Sequence, residues 1–302
     1  MEFLYWLESI RNPVLDTIMQ YITYFGDELL FMVLALAVFW CVSKWEGYYL
    51  LFVGFTGTLI NQFLKLWYRI PRPWVKDPNF TIVEAAREGA GGYSFPSGHT
   101  QSATGNFGSL ARWHKHKGVR IVSISLLVLT AFSRMYLGVH TPLDVGVSLA
   151  IGLILVFAFY PIMQKAAQKP KLMYALLGGM LTLSFAFVLY ANLTEFPADA
   201  TENVFEGRKN SFSLFGALSG FMIAYPIEKK YIRFSEKAPL WGQACKLILG
   251  LVGLLVVKEG LKLLFNACGL DWMWLHAVRY CAVVLFAALL WPLTFPFWSK
   301  KR

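Results

Sequence analysis

Charge is what this 302-residue chain has least of: 15% of its residues are Asp, Glu, Lys or Arg, against 57% hydrophobic and 17% aromatic. A soluble domain carries nearer about a quarter charged residues, so an ordinary water-exposed globule is excluded. Acidic residues are scarcer than basic ones, 18 against 28, for a net charge of +10. The basic excess forms no stripe of the kind that tracks a phosphate backbone. It is split into short clusters between apolar runs, as the loops of a membrane protein are, and no nucleic-acid partner is expected. Cysteine is sparse: Cys41, Cys245, Cys268 and Cys281 stand alone, mostly within apolar stretches and with no CxxC pair, so they read as small buried hydrophobes and indicate no redox compartment. Low-complexity segments and internal repeats are absent. Met1-Glu2-Phe3 lacks a basic n-region and no small-residue cleavage site follows, so a cleaved signal is not expected.

Apolar runs near bilayer-spanning length are what the chain has instead, for example Leu172–Ala191 and Leu247–Val257. The pattern predicts an all-α polytopic membrane helical bundle of about nine transmembrane helices. The expected spans are roughly 25–43, 48–67, 98–113, 119–137, 142–163, 171–191, 211–227, 244–265 and 274–297. Residues 1–24, where Arg11, Asn12 and Asp16 interrupt an aromatic and aliphatic pattern, read as amphipathic helices lying in the interface. Residues 25–192 are expected to form the core bundle with the active site, and 193–302 further spans of the same domain. The third span, from His99 to Leu110, is too polar for hydropathy to find. Its small residues suit a helix enclosed by other helices.

Loop charge orders these spans. Lys44; Arg112, Lys115, Lys117 and Arg120; Lys165, Lys169 and Lys171; Lys229, Lys230, Arg233 and Lys237; and Lys300, Lys301 and Arg302 fall on one side. Glu195, Asp199, Glu202, Glu206 and Asp271 fall on the other. The positive-inside rule then places the N-terminus outside and the C-terminus in the cytoplasm of a cell membrane, bacterial in type. The polar third span is needed for this parity. With it, the ends carrying Lys65, Arg72, His99, Arg134, His140 and Asp144 share the outer face; without it, Arg134 and His140 lie across the membrane from Lys65 and Arg72.

Those ends carry the chemistry. Arg72, between Pro71 and Pro73, has an extended backbone that aims a rigid fork of donors near the end of the span holding Lys65. Alone, Lys65 reads as a lysine snorkelling to the interface. In Pro96-Ser97-Gly98-His99, Ser97 reads as a helix N-cap and Gly98 admits an anion close to the free N–H groups of the first turn, although an ordinary capped helix has the same look. In Ser133–Asp144, Thr141 and Pro142 start a helix whose first turn holds Asp144, four residues after His140. That spacing lets a carboxylate accept a hydrogen bond from one ring nitrogen and sharpen the other as a nucleophile. Arg134 ends the preceding helix, where a cation also complements the helix dipole. His114 and His116 lie in a basic loop and His276 opens the last span, so these three read as solvated or interfacial. A metal held by His99, His140 and Asp144 would face repulsion from Lys65, Arg72 and Arg134, and no metal or other cofactor is expected.

The blocks K-x6-R-P, P-S-G-H and S-R-x5-H-x3-D, filled by Lys65, Arg72, Pro73, Pro96, Ser97, Gly98, His99, Ser133, Arg134, His140 and Asp144, resemble the signature of the type 2 phosphatidic acid phosphatase superfamily. The resemblance implies a helical bundle that hydrolyses a phosphate ester or diphosphate without metal at the membrane surface. It implies His140 as the nucleophile that becomes a phosphohistidine, Asp144 as its orienting partner and His99 as the acid on the leaving oxygen. Lys65, Arg72, Ser97, Gly98 and Arg134 would hold the phosphoryl oxygens. The expected substrate is a membrane lipid phosphate or isoprenoid diphosphate, such as phosphatidic acid, phosphatidylglycerophosphate or undecaprenyl diphosphate, entering from the bilayer. A nine-span layout is also similar to that of glucose-6-phosphatases, so a sugar phosphate is an alternative. Transfer to an alcohol instead of water is another, and an inactive lipid-binding scaffold a third. Two softer features remain. Gly89, Gly91 and Gly92 suit either a mobile lid or a plain connector, and Glu259 and Lys262 are spaced to pair within an apolar span.

Overall fold

Every long element is a helix, because an apolar chain in a bilayer satisfies its backbone polar groups only within helices or a closed barrel. The computed structural model describes residues 1–197 and 200–299. Asp199, Lys300, Lys301 and Arg302, used above for orientation, lie outside the described residues. In chain order the helices are α1 (Glu2–Ser9), α2 (Pro13–Thr23), α3 (Glu28–Cys41), α4 (Lys44–Tyr68), α5 (Pro73–Lys76), α6 (Gly98–Ala103), α7 (Ser109–Trp113), α8 (Lys117–Tyr136), α9 (Pro142–Gln168), α10 (Pro170–Leu193), α11 (Thr201–Ile227), α12 (Leu240–Ala267), α13 (Leu275–Leu285) and α14 (Phe295–Trp298). No strand occurs among the described residues. Five stretches are long and apolar enough to cross a membrane: Lys44–Lys76, Lys117–Tyr136, Pro142–Gln168, Pro170–Leu193 and Leu275–Trp298. Pro13–Gly26 and Glu28–Cys41, bent by 49°, add a sixth if they form one broken span.

The chain divides into two units, Met1–Ala35 with Tyr49–Ile162 and Ala198–Val204, and Leu36–Tyr48 with Met163–Pro197 and Phe205–Arg302. In the first, the polar stretch that hydropathy misses is helical throughout: a π turn over Thr104–Gly108 joins α6 to α7. Thr100, Gln101, Ser102, Thr104, Asn106 and Ser109 are all buried, so their polar side chains face protein and hydrophobicity is not what holds this helix. The amphipathic N-terminus is tied to the same unit. Leu4 and Leu7 are fully buried against Phe80, Ile82, Tyr136, Leu137 and Val139, worth about 1.5–3 kcal/mol each if the alternative is water. Arg11 donates from Nε to Tyr136 O (2.9 Å) and from Nη1 to Thr81 O (2.8 Å), and Tyr136 donates its hydroxyl proton to Asp16 Oδ1 (2.8 Å). These bonds fasten α1 and α2 to the end of α8 that carries the site motif.

Gly138 follows α8 with φ +83, a left-handed conformation that a side chain opposes. It ends the helix and turns the chain back so that His140 sits between α8 and α9. In the second unit, α11 packs on α13 through Gly216 and Gly220. A Cβ on Gly216 would collide with the Ala277 backbone, and one on Gly220 would lie 2.8 Å from Cys281 O. This is the close backbone approach that a small-xxx-small pair permits. The spacing that favours a Glu259–Lys262 pair is overridden: Glu259 pairs with Lys258 at 3.3 Å instead.

Candidate active site

Four helix ends in the first unit carry the motif residues. Lys65 is in the last turn of α4, Arg72 is the N-cap of α5, Arg134 is in the last turn of α8, and Asp144 is in the first turn of α9. Ser97 caps α6: its Oγ accepts from Thr100 N (3.4 Å) and hydrogen-bonds Thr100 Oγ1 (2.9 Å). The Ser97 N–H donates to Asp144 O (3.2 Å) and Ser148 Oγ donates to Ser97 O (2.9 Å), so α6 and α9 begin side by side. A side chain at Gly98 would meet nothing within 4 Å, which leaves the first turn of α6 open to an approaching group.

His140 is 1% exposed and lies among these ends. Arg72 Nη1 is 2.8 Å from its Nε2. A guanidinium has donors only, so Nε2 must be the bare lone pair and the proton resides on Nδ1. Nδ1 points towards Asp144, yet the separation to Oδ2 is 3.5 Å and Nδ1 has no hydrogen-bond partner. The direct hydrogen bond expected from the four-residue spacing is therefore not closed. Asp144 Oδ2 instead accepts from Ser94 Oγ (2.6 Å) and from the Thr141 N–H (2.8 Å), two donors that take the lone pairs the ring would use. Burial pushes the His140 imidazole well below its usual range, with Arg72, Arg134 and Lys65 adding to the effect. His99 is half-buried in the first turn of α6, directly after Gly98.

The cations are held in two ways. Arg72 is gripped by carbonyls: Nε donates to Gly92 O (3.1 Å), Nη2 to Gly91 O (2.7 Å) and Nη1 to Val139 O (3.0 Å). Lys65 Nζ donates to Tyr93 O. The glycine segment is thus neither a free lid nor a plain connector. Its carbonyls occupy the donors of two cations, while Phe80, Ile82, Ala86 and Ala90 upstream anchor the loop in a core. Arg134 differs. It is 1% exposed, donates from Nη1 to Thr23 Oγ1 (2.5 Å), and has no partner for Nε or Nη2. Burying a guanidinium with two unsatisfied donors is costly unless an anion compensates it.

The sequence reading missed Thr23, Gly26, Asn61 and Ser94. Thr23 orients Arg134 from α2. Gly26 leaves room for His99: a Cβ there would be 2.6 Å from His99 O and 2.8 Å from His99 Cβ. Asn61, one turn before Lys65, donates to Pro96 O (3.4 Å). Only Ser94 had a signal, its position three residues before Ser97 in a block already selected. Among the described residues no group of three or more His, Cys, Asp or Glu side chains is placed to hold a metal ion.

Comparison with known proteins gives this arrangement a family. Residues 45–168 match the PAP2 superfamily, and residues 212–299 match the transmembrane extension of PAP2 superfamily phosphatases. The chain is 32% identical to the undecaprenyl-diphosphatase BcrC of Bacillus subtilis over 155 residues, 50% of this chain and 77% of that protein. It is 32% identical to phosphatidylglycerophosphatase B of Bacillus subtilis over 161 residues, 49% of this chain and 75% of that one. A crystal structure of a transmembrane PAP2-type phosphatidylglycerolphosphate phosphatase from Bacillus subtilis aligns with TM-score 0.46 at 30% identity, covering 54% of this chain and 84% of that one. By the family matches and by its identity to the two Bacillus subtilis phosphatases, the chain belongs to the PAP2 superfamily and is a multi-pass membrane phosphatase.

Proposed function

We propose that the protein removes phosphate from a lipid phosphate or an isoprenoid diphosphate at the outer leaflet, through a phosphohistidine on His140. The observation that carries the reading is the buried Arg134 guanidinium with two free donors beside a neutral imidazole. Such a site binds an anion and presents a lone pair to it. The names of the two curated relatives, an undecaprenyl-diphosphatase and a phosphatidylglycerophosphatase, favour substrates with a bilayer-anchored tail.

In this mechanism the phosphoryl oxygens take the donors of Arg134, Lys65, Arg72 and the first turn of α6. Arg72 leaves His140 Nε2 to grip the phosphoryl group. The Nε2 lone pair then attacks phosphorus in line, the bond to the leaving oxygen breaks, and His99 supplies that oxygen with a proton. Asp144, 3.5 Å from Nδ1, closes onto its proton as positive charge grows on the ring. In the second half His99 takes a proton from water, which attacks phosphorus and frees His140. Phosphoryl transfer depends mainly on positioning and charge stabilisation, and three cations supply the charge without a metal. The nine-span reading, with the N-terminus outside and the C-terminus in the cytoplasm, puts this chemistry on the outer face.

The test is phosphate release in detergent with excess chelator. Phosphatidic acid, phosphatidylglycerophosphate, undecaprenyl diphosphate, a sphingoid phosphate and glucose 6-phosphate are compared, for wild type and His140→Ala. Lipid-linked substrates are expected to turn over despite chelator and only with His140 present. Equal rates for His140→Ala, or collapse under chelator, overturn the mechanism; preference for glucose 6-phosphate overturns the lipid assignment.

A further inference from the structure

The second unit contains a basic pocket that the phosphatase chemistry does not use. It lies where α12 ends and α13 begins, and has a volume of about 140 Å3, room for several waters. Lys262, His276 and Arg279 supply donors, with Phe265 and Trp272 among the apolar walls. Arg279 is 8% exposed. Its Nη2 is 3.0 Å from His276 Nδ1, its Nε has no partner, and no carboxylate pairs with it among the described residues. A buried guanidinium in that state is stabilised by an anion. Asp271 and Lys262, also at the pocket, are exposed, whereas Arg279 is buried.

The surroundings say what kind of anion. Trp272 and Trp274 are stacked, with ring centroids 5.8 Å apart, and 58% and 48% exposed. Exposed tryptophans between two apolar helices mark the headgroup level of a bilayer. A pocket at that depth, with apolar walls beside Lys262, His276 and Arg279 and a single carboxylate, Asp271, matches a phosphate ester whose acyl chains remain in the membrane. We propose that this pocket binds the phosphate of a phospholipid headgroup, with Arg279 and Lys262 as its charged donors. The bound lipid is a second ligand, distinct from the phosphate ester that His140 would attack.

Native mass spectrometry of the full chain, titrated with short-chain phosphatidylglycerol, tests this. Wild type, Arg279→Gln, Lys262→Gln and Arg134→Gln are compared. Arg134→Gln disables anion binding at the catalytic cluster, so failure there is told apart from failure here. Exposed Lys262 provides a variant that does not depend on the packing of a buried arginine. The expected result is a phospholipid adduct kept by wild type and Arg134→Gln and weakened about tenfold or more in Arg279→Gln and Lys262→Gln. Adduct levels unchanged in the last two, or lost in Arg134→Gln alone, overturn the proposal. Displacement by inorganic phosphate at the concentration at which phosphatidylglycerol binds overturns the lipid assignment in favour of a free anion.

Discussion

Arg134 and Arg72 are both buried arginines of one motif set, yet the fold treats them differently. Arg72 is saturated by carbonyls and by His140 Nε2, whereas Arg134 keeps Nε and Nη2 free. In the proposed mechanism Arg134 is therefore the donor ready for a phosphoryl group. Arg134→Lys keeps the charge but loses the fork, so kcat is expected to fall roughly 100- to 1,000-fold. Steady-state phosphate release measures this, and a loss below about threefold would remove Arg134 from the site. His140 makes the second residue-scale prediction. Its native pKa is depressed by burial, so the unfolded chain binds more protons below the ordinary histidine value near about 6.5. The stability contributed by the neutral ring is full above that pH and is lost as pH falls, by up to about 1.4 kcal/mol per unit. Unfolding midpoints of wild type and His140→Gln in detergent should therefore draw together, or cross, between pH 7 and pH 5. A constant difference across that range would show that the ring is not buried neutral.

Some helix crossings in this protein depend on small residues. The α11–α13 crossing depends on Gly216 and Gly220, where backbone meets backbone and no side chain can yield. Gly216→Leu is expected to cost about 1–3 kcal/mol as overpacking, read as a lower thermal midpoint in detergent. An unchanged midpoint would mean that the two helices are not in contact. The same logic applies to α6 and α7, where Gly57 and Gly152 admit Gln101 and Thr104. Hydropathy cannot see such a helix because its burial is bought with shape. The spacing of small residues and the parity of charged loops did reveal it.

For the whole molecule, the proposed orientation, N-terminus outside and C-terminus in the cytoplasm, is open to a direct test. In a chain whose Cys41, Cys245, Cys268 and Cys281 are replaced by alanine, a cysteine at Gly89 should react with a membrane-impermeant maleimide in intact cells. A cysteine at Lys115 should react only after lysis. Labelling of the lysine-loop position alone would invert the proposed orientation, and labelling of both from outside would remove the span proposed between them.

The sequence by itself determined the class, an all-helical membrane protein, because apolar composition and the demand for internal backbone pairing leave few other solutions. It also singled out Lys65, Arg72, Ser97, Gly98, His99, Arg134, His140 and Asp144, since the spacing of chemically matched residues survives in one dimension. Tertiary structure alone decided how they meet. It put Arg72 on His140 Nε2, turned Asp144 towards Ser94 and Thr141, and brought Thr23 and Gly26 from a distant segment to support Arg134 and His99. It also joined Lys262, His276 and Arg279 across a turn into one basic pocket. Those outcomes depend on which donors reach a given lone pair first, and on close approaches between residues far apart in the chain, which no spacing in the sequence records.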